Sequence, residues 1–323
     1  MKKVRNLSGK SVAFIGDSII AAGGFINLLR EYFLNKGIRI ALFNKGVAGN
    51  RVDMVKTLIS EEFCFYKPDY AAIMFGGNDL GIWLYDGNKP VTEQLLEKRK
   101  ERVFNYKRGL TETIERLLSF GITPIVTSPL CYNSDIEEKE DVYTIADNSE
   151  KEDYIGDNFY TKKTFCNINE GFKVLAKEAK TVALKFGTIY WDLLDDTLKE
   201  AVPEMFYEDG MHYNLKGHEL LAKIILKNLT GERFIFTEPR ESIKKIAEEE
   251  QRERAYFFVK YNRMSAYKSI LCGDKLVSAV NEVIKNEGYT EGLTETRAKG
   301  FLEYAEDPVG NGKKLTEDIL SLN

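Results

Sequence analysis

Ser11-Val-Ala-Phe-Ile-Gly-Asp-Ser18-Ile-Ile20 reads as a strand, a tight turn and a helix in quick succession. Residues 12–15 are a short β-rich apolar run, Gly16 permits a sharp turn, and from Ile19 to Leu34 apolar residues recur at helical spacing. Ser18 therefore stands at a helix start, where unpaired backbone N–H groups and the positive end of the helix dipole favour negative charge. A serine in that place also serves as a helix cap. Its position alone does not separate the two roles.

The same pattern recurs twice further on. Ile38-Arg-Ile-Ala-Leu-Phe43 runs into Asn44-Lys-Gly46-Val-Ala-Gly49-Asn50, and Tyr70-Ala-Ala-Ile-Met-Phe75 runs into Gly76-Gly77-Asn78-Asp79. Apolar runs at 123–127 and 188–191 bring the expected strands to five. Helical spacing lies between them at about 24–36, 52–60, 93–120 and 164–186, and the third of these carries Leu95, Leu96, Val103, Tyr106, Leu110, Ile114, Leu117 and Leu118 on one stripe. Strands alternating with helices predict an α/β fold with a doubly wound parallel sheet. The three glycine turns then lie at its carboxyl edge, where such sheets bind ligands.

A serine hydroxyl needs activation at neutral pH, and the usual base is an imidazole oriented by a carboxylate. The chain has only two histidines, His212 and His218. Asp209 stands three residues before His212, whereas His218 falls at the start of a helix expected over 217–227 and reads as a surface or capping residue. The backbone N–H of Gly49 and the side-chain amide of Asn78 are candidate donors to an oxyanion. Losing one such donor typically costs ~10²–10³-fold in turnover. Asp17 and Asp79 adjoin these residues, but aspartates so placed fix turns by accepting nearby backbone N–H groups. Arg51 is a candidate contact for a substrate oxygen, against a plainer reading as an exposed loop arginine.

Taken in order, Gly16-Asp17-Ser18, Gly49, Gly77-Asn78-Asp79 and Asp209-x-x-His212 resemble the sequence blocks of the SGNH hydrolases, also called the GDSL esterase/lipase family, over about residues 10–228. The resemblance implies a flavodoxin-like three-layer α/β/α fold and ester hydrolysis by acyl transfer through a serine. It makes Ser18 the expected nucleophile, His212 the base and Asp209 its orienting acid, with the Ser18 N–H, Gly49 N–H and Asn78 amide as oxyanion hole. No metal or organic cofactor is required. Tyr213 departs from the pattern, since many members carry proline there. No Gly-x-Ser-x-Gly surrounds Ser18, so the larger α/β-hydrolase fold is not supported, and the chain lacks both a Walker A loop and a Gly-x-Gly-x-x-Gly fingerprint for nucleotide or flavin.

Composition limits the partners. Net charge is −4 with both signs interspersed and no basic stripe, so no nucleic-acid partner is expected. Cys64, Cys131, Cys166 and Cys272 lie far apart without disulfide or zinc-ligand spacing and read as reduced thiols. The apolar run after the basic amino terminus is broken at Asp17, too soon for a secretory signal. No run approaches the ~20 apolar residues of a bilayer span. Cytoplasmic residence is the expectation.

Residues 131–163 break the rhythm with an acidic, polar stretch, expected as a long inserted loop facing the substrate. Trp83, Tyr85 and Tyr132 are expected near the same edge, either as an aromatic platform for a sugar ring or as core. The catalytic domain is expected over 1–231 and an α-helical extension over 232–323, with helices at 239–263, 274–286 and 294–305 before Asp307-Pro-Val-Gly-Asn-Gly312 punctuates the tail. The apolar end Ala255-Tyr-Phe-Phe-Val259 must be buried, on the catalytic domain or between copies of the chain in a homo-oligomer. The expected activity is a serine esterase acting on a small-molecule ester, an acetylated saccharide foremost. A lysophospholipase or thioesterase with a longer acyl chain, and a non-catalytic scaffold, are the alternatives.

Overall fold

Val12, Ala13, Phe14 and Ile15 are all buried, as a parallel strand covered on both faces requires. They belong to β1 (Lys10–Gly16), followed in the chain by β2 (Ile40–Gly46), β3 (Tyr70–Met74), β4 (Thr123–Thr127), the antiparallel pair β5 (Val142–Ile145) and β6 (Tyr160–Lys163), and β7 (Ile189–Trp191). The computed structural model describes residues 7–85, 90–133, 142–145, 160–163, 166–263, 274–286 and 294–322. Its main sheet has the order β2-β1-β3-β4-β7, all parallel. The five expected strands are present, with ends shifted by up to three residues.

Helices α1 (Ser18–Ala22) and α2 (Gly24–Asn35) follow β1, α3 (Val52–Glu62) follows β2, and α4 (Gly77–Leu80) and α5 (Glu93–Ser119) follow β3. Then α6 (Ile168–Phe186) precedes β7, and α7 (Leu193–Glu200) and α8 (Leu215–Leu229) come after it. On one side of the sheet α5 packs against α3 and α6, and on the other α2 packs against α8. The stripe on α5 is buried at Tyr106, Leu110, Ile114 and Leu117, while Leu96 and Leu118 stay exposed. The helix expected at about 24–36 is α2, and the helical spacing that begins at Ile19 includes the separate short helix α1. Gly23, at φ +73, closes α1 and starts α2, and a Cβ there would stand 2.8 Å from Asn44 Nδ2. Within 131–163 the long irregular loop is corrected by the β5–β6 pair; residues 134–141 and 146–159 lie outside the described residues.

The described residues beyond 231 include four helices: α9 (Glu241–Phe258), continued by a wider turn to Arg263, then α10 (Asp274–Lys285), α11 (Glu295–Ala305) and α12 (Pro308–Ser321). The tail read as punctuation is itself a helix, because Asp307 caps it by accepting the Gly310 N–H at 2.9 Å and Pro308 fits its first turn. Gly312 lies so near Phe65 that a Cβ would come within 2.3 Å of its ring. Leu315 and Ile319 join the main core, as does Ile246 of α9.

The edge strand β2 explains why α9 docks where it does. The Asn44 N–H donates to Glu250 Oε1 at 3.0 Å, Arg30 Nη2 donates to the Leu42 carbonyl at 2.5 Å, and Arg254 Nη1 donates to the Gly46 carbonyl at 3.3 Å. Arg30 and Glu250 pair through two contacts at 2.8 and 2.7 Å, and Arg254 holds Glu62 at 2.8 and 3.0 Å. These four side chains are at most 5% exposed. Nearby, Val47 joins Phe257, Phe258, Val259, Val280, Ala298 and Phe301 in a second apolar cluster. Among the described residues no helix is long and apolar enough to cross a membrane.

Glu250→Ala leaves the Arg30 guanidinium and the Asn44 N–H buried without their partner. It is expected to lower the unfolding free energy by ~3–5 kcal/mol. Glu97→Ala, which removes an ion pair to Lys100 exposed on both sides, should change it by less than ~1 kcal/mol. Urea denaturation of the two variants checks the difference.

Candidate active site

Strands β1, β2 and β3 end level with one another: Gly16 stands opposite Gly46 on one side and Met74 on the other. The residues that follow them meet at the point where the chain's direction across the sheet reverses. A Cβ on Gly46 would lie 2.2 Å from the Ala21 nitrogen, so only glycine lets α1 sit this close to the strand ends. Asp17 caps α1 by accepting the Ile19 N–H at 3.1 Å, the turn role expected of it. Ser18 is the first residue of that helix.

Ser18 Oγ lies 2.7 Å from His212 Nε2, and His212 Nδ1 lies 2.5 Å from Asp209 Oδ2. The other Asp209 oxygen accepts the backbone N–H groups of Met211 and His212, each at 2.9 Å. Gly210, at φ +66, makes this turn possible. The loop is pinned at its base by an antiparallel bridge between Phe206 and Tyr213 and by the Tyr207 N–H donating to the His212 carbonyl at 2.8 Å. Tyr213, the departure from the family pattern, is buried and donates its hydroxyl to the Cys131 carbonyl at 3.0 Å. It thus ties the His212 loop to the chain beyond β4.

Partial desolvation of the His212 ring disfavours its charged form. The hydrogen bond and charge of Asp209, helped by the charge of Asp17, outweigh this and raise its pKa above the ordinary 6.5. For Asp209 burial works upward, but the bonds and charge of His212 and the two backbone N–H groups bring it below the usual carboxylate value. Burial pushes Asp17 up to about 6, partly offset by the Ile19 N–H and His212. His218 is not the surface or capping residue expected. It is 7% exposed, its Nδ1 accepts the Phe25 N–H at 3.3 Å, and burial together with repulsion from His212 lowers its pKa to about 4.

The two glycine turns are laced together. Gly49 adopts φ +76 in a turn closed by the Asn50 N–H donating to Val47 at 3.1 Å, and Asn78 Nδ2 donates to the Asn50 carbonyl at 3.1 Å. The backbone N–H groups of Ser18 and Gly49 donate to no group among the described residues. Asp79, expected to fix its own turn, instead serves another. Its Oδ1 accepts the Val52 N–H of α3 at 2.9 Å, across the two loops. Burial, with the charges of Asp17 and Asp53, pushes its pKa to about 8, so it holds its proton at neutral pH.

The other candidate contacts have protein partners of their own. Arg51 Nε pairs with Asp53 Oδ1 at 3.0 Å. Tyr85 is 7% exposed with the Arg99 guanidinium 4.0 Å over its ring, and Tyr132 is 1% exposed with its backbone clasped by the Asn169 amide. Trp83 packs against the main core under Arg102. Of the two roles expected for these rings, platform or core, the packing of Tyr85 and Tyr132 fits the core.

A cleft of about 260 Å³ opens beside Ser18 and His212. Ala21, Ala22 and Ala48 line it from the α/β body, while Gln251, Arg254, Ala255 and Phe258 of α9 and Arg297 of α11 line it from the carboxyl-terminal helices. Sequence reasoning missed these last five. The one local signal was the apolar run at 255–259, which had to be buried somewhere. Among the described residues no group of three or more His, Cys, Asp or Glu side chains is arranged to hold a metal ion.

Residues 12–225 match the GDSL-like lipase/acylhydrolase family. An acetylxylan esterase of Geobacillus stearothermophilus is 34% identical over 241 residues, which covers 69% of this chain and 94% of that protein. A crystal structure of an acetylxylan esterase from the same organism matches the fold with a TM-score of 0.50 at 19% identity, over 73% of this chain and 100% of the other. A catalytic mutant of it gives 0.50 at 20% identity, over 74% and 100%. With the family's sequence blocks at the ends of the first three strands and on the histidine loop, this chain belongs to the GDSL-like lipase/acylhydrolase family, the SGNH serine hydrolases of carboxylic esters.

Proposed function

We propose that this hydrolase removes small acyl groups, acetyl foremost, from the hydroxyls of a carbohydrate. Ser18 Oγ attacks the ester carbonyl as His212 Nε2 takes its proton, and Asp209 keeps the imidazole in the right tautomer and favours its charged form. The oxyanion is received by the Ser18 N–H, the Gly49 N–H and the Asn78 amide. Collapse expels the sugar alcohol, which leaves with the proton from His212. Water, deprotonated by the same imidazole, then attacks the acyl-serine and releases acetate and free Ser18.

The observation that carries this reading is the 2.7 Å contact between Ser18 Oγ and His212 Nε2, residues 194 apart in the chain. Support for a short acyl group comes from the small side chains of Ala21, Ala22, Ala48 and Ala255 in the cleft and from the likeness to an acetylxylan esterase. Among the described residues the cleft has no continuous apolar trough of the kind that the long acyl chain of a lysophospholipase or thioesterase substrate would need.

Ser18→Ala is expected to reduce p-nitrophenyl acetate hydrolysis to background and to abolish the acyl-enzyme burst. On wild type, kcat/KM should fall steeply from butyryl to octanoyl p-nitrophenyl esters, and a rise towards octanoyl would refute the acetyl preference. Asn78→Ala should lower kcat by ~10²–10³-fold. The base must be neutral to accept a proton, and its pKa is raised, so the acid limb of the kcat/KM profile should have its midpoint above pH 6.5. Asp17→Asn removes a charge that favours the imidazolium, so that midpoint should move to lower pH.

A further inference from the structure

Half of the cleft wall lies outside the residues that match the family, which end at 225. Three polar side chains face the cleft from α9 and α11. Arg254 is committed elsewhere: its guanidinium binds Glu62 and Glu253, and its side chain is 3% exposed. Gln251 donates its amide to the Ala21 carbonyl at 2.9 Å, and its amide oxygen accepts nothing among the described residues. Arg297, half-buried in the first turn of α11, holds its guanidinium 4.4 Å from the centre of the Phe258 ring. It is near enough to His212 for its charge to oppose the imidazolium. No acidic side chain lines this cleft among the described residues.

We propose that α9 and α11 complete the substrate site, and that Arg297 is a specificity-determining residue that binds a carboxylate or phosphate on the alcohol part of the ester. The inference deepens the esterase reading above and rests on it. An arginine anchored against an aromatic face has already lost part of its hydration and rotamer freedom, so it gives up less on meeting an anion. Its planar fork of N–H donors suits either oxyanion group. Gln251 supplies an acceptor for a neighbouring hydroxyl. The acid released on deacylation is small, so an anionic group held by Arg297 belongs to the leaving alcohol and departs in the first half-reaction.

The full-length protein, Arg297→Gln and Arg297→Lys would be assayed on matched acetyl esters. One pair is 3-acetoxybenzoate and its methyl ester, which differ by one negative charge and a methyl group, with acetate release as the readout. The others are an acetylated uronic acid and an acetylated sugar phosphate, each against the acetylated neutral sugar. Wild type should favour an anionic member by ~10-fold or more in kcat/KM. Arg297→Gln should bring that ratio towards one, chiefly through KM, and Arg297→Lys should keep part of it. The sugar pair showing the larger ratio identifies the anion. Wild-type ratios near one throughout, or an unchanged ratio in Arg297→Gln, would overturn the proposal. Selectivity on the benzoate pair with no sugar ester cleaved would uphold Arg297 and refute the carbohydrate reading.

Discussion

An edge strand presents a row of backbone N–H and C=O groups with no strand to pair with, and each must find a partner or water. In this molecule β2 is such an edge, and the partners of Leu42, Asn44 and Gly46 are charged side chains of α2 and α9. The choice is unusual because ions in a buried place must themselves be paired. Arg30 with Glu250, and Arg254 with Glu62 and Glu253, meet that demand. Lys45 closes the group by contacting Glu253 at 3.0 Å and Glu62 at 3.3 Å. Buried pairs of this kind add little net stability compared with apolar residues. What they provide is register, since α9 cannot slide along β2 without stranding a charge.

That register has a consequence at the carboxyl edge of the sheet. Arg254 reaches the Gly46 carbonyl, the last residue of β2, immediately before the turn that carries Gly49. On the same element the adjacent Ala255 and, one helical turn further on, Phe258 line the cleft beside Ser18. The helix that satisfies the sheet edge is therefore also a wall of that cleft. Val47, in the turn itself, packs into the apolar cluster of the carboxyl-terminal helices. The helical extension past residue 231 thus packs on the α/β body, sharing both a charged interface and apolar contacts with it.

Where the structure was legible in advance, the information was local. Gly16, Gly49 and Gly77 mark turns after apolar runs, and the spacing of Asp209 and His212 fits a turn in which one carboxylate serves both backbone and imidazole. Parallel-sheet topology does the rest, because it delivers the ends of β1, β2 and β3 to one place. What was not legible depends on distant partners. His218 sits at a helix start that looks exposed, yet Gly24 and Phe25 close over it from nearly two hundred residues away. Tyr85 and Tyr132 have the chemistry of a sugar platform, and only the packing of α6 decides that they are interior. Asp307-Pro308 signals a helix start as readily as a stop, and the glycines after it tipped the reading the wrong way.

The two histidines show how the surroundings, not the residue type, assign chemistry. Both rings lose hydration, which favours the neutral form. His212 keeps a carboxylate against Nδ1 and a second one nearby at Asp17, and these restore its affinity for a proton. His218 has a backbone N–H against its Nδ1, a donor that only a neutral ring can accept from, and no carboxylate offsets its burial. The carboxylates divide in the same way. Asp209, with two backbone donors and an imidazole, stays ionised, whereas Asp79, with a single donor and full burial, keeps its proton. A neutral Asp79 can bridge the turns that carry Asn50 and Asn78 without adding negative charge between them. In the proposed mechanism the negative charge then lies behind His212, where it favours the imidazolium, and the opposite side stays free for the charge that would appear on the substrate.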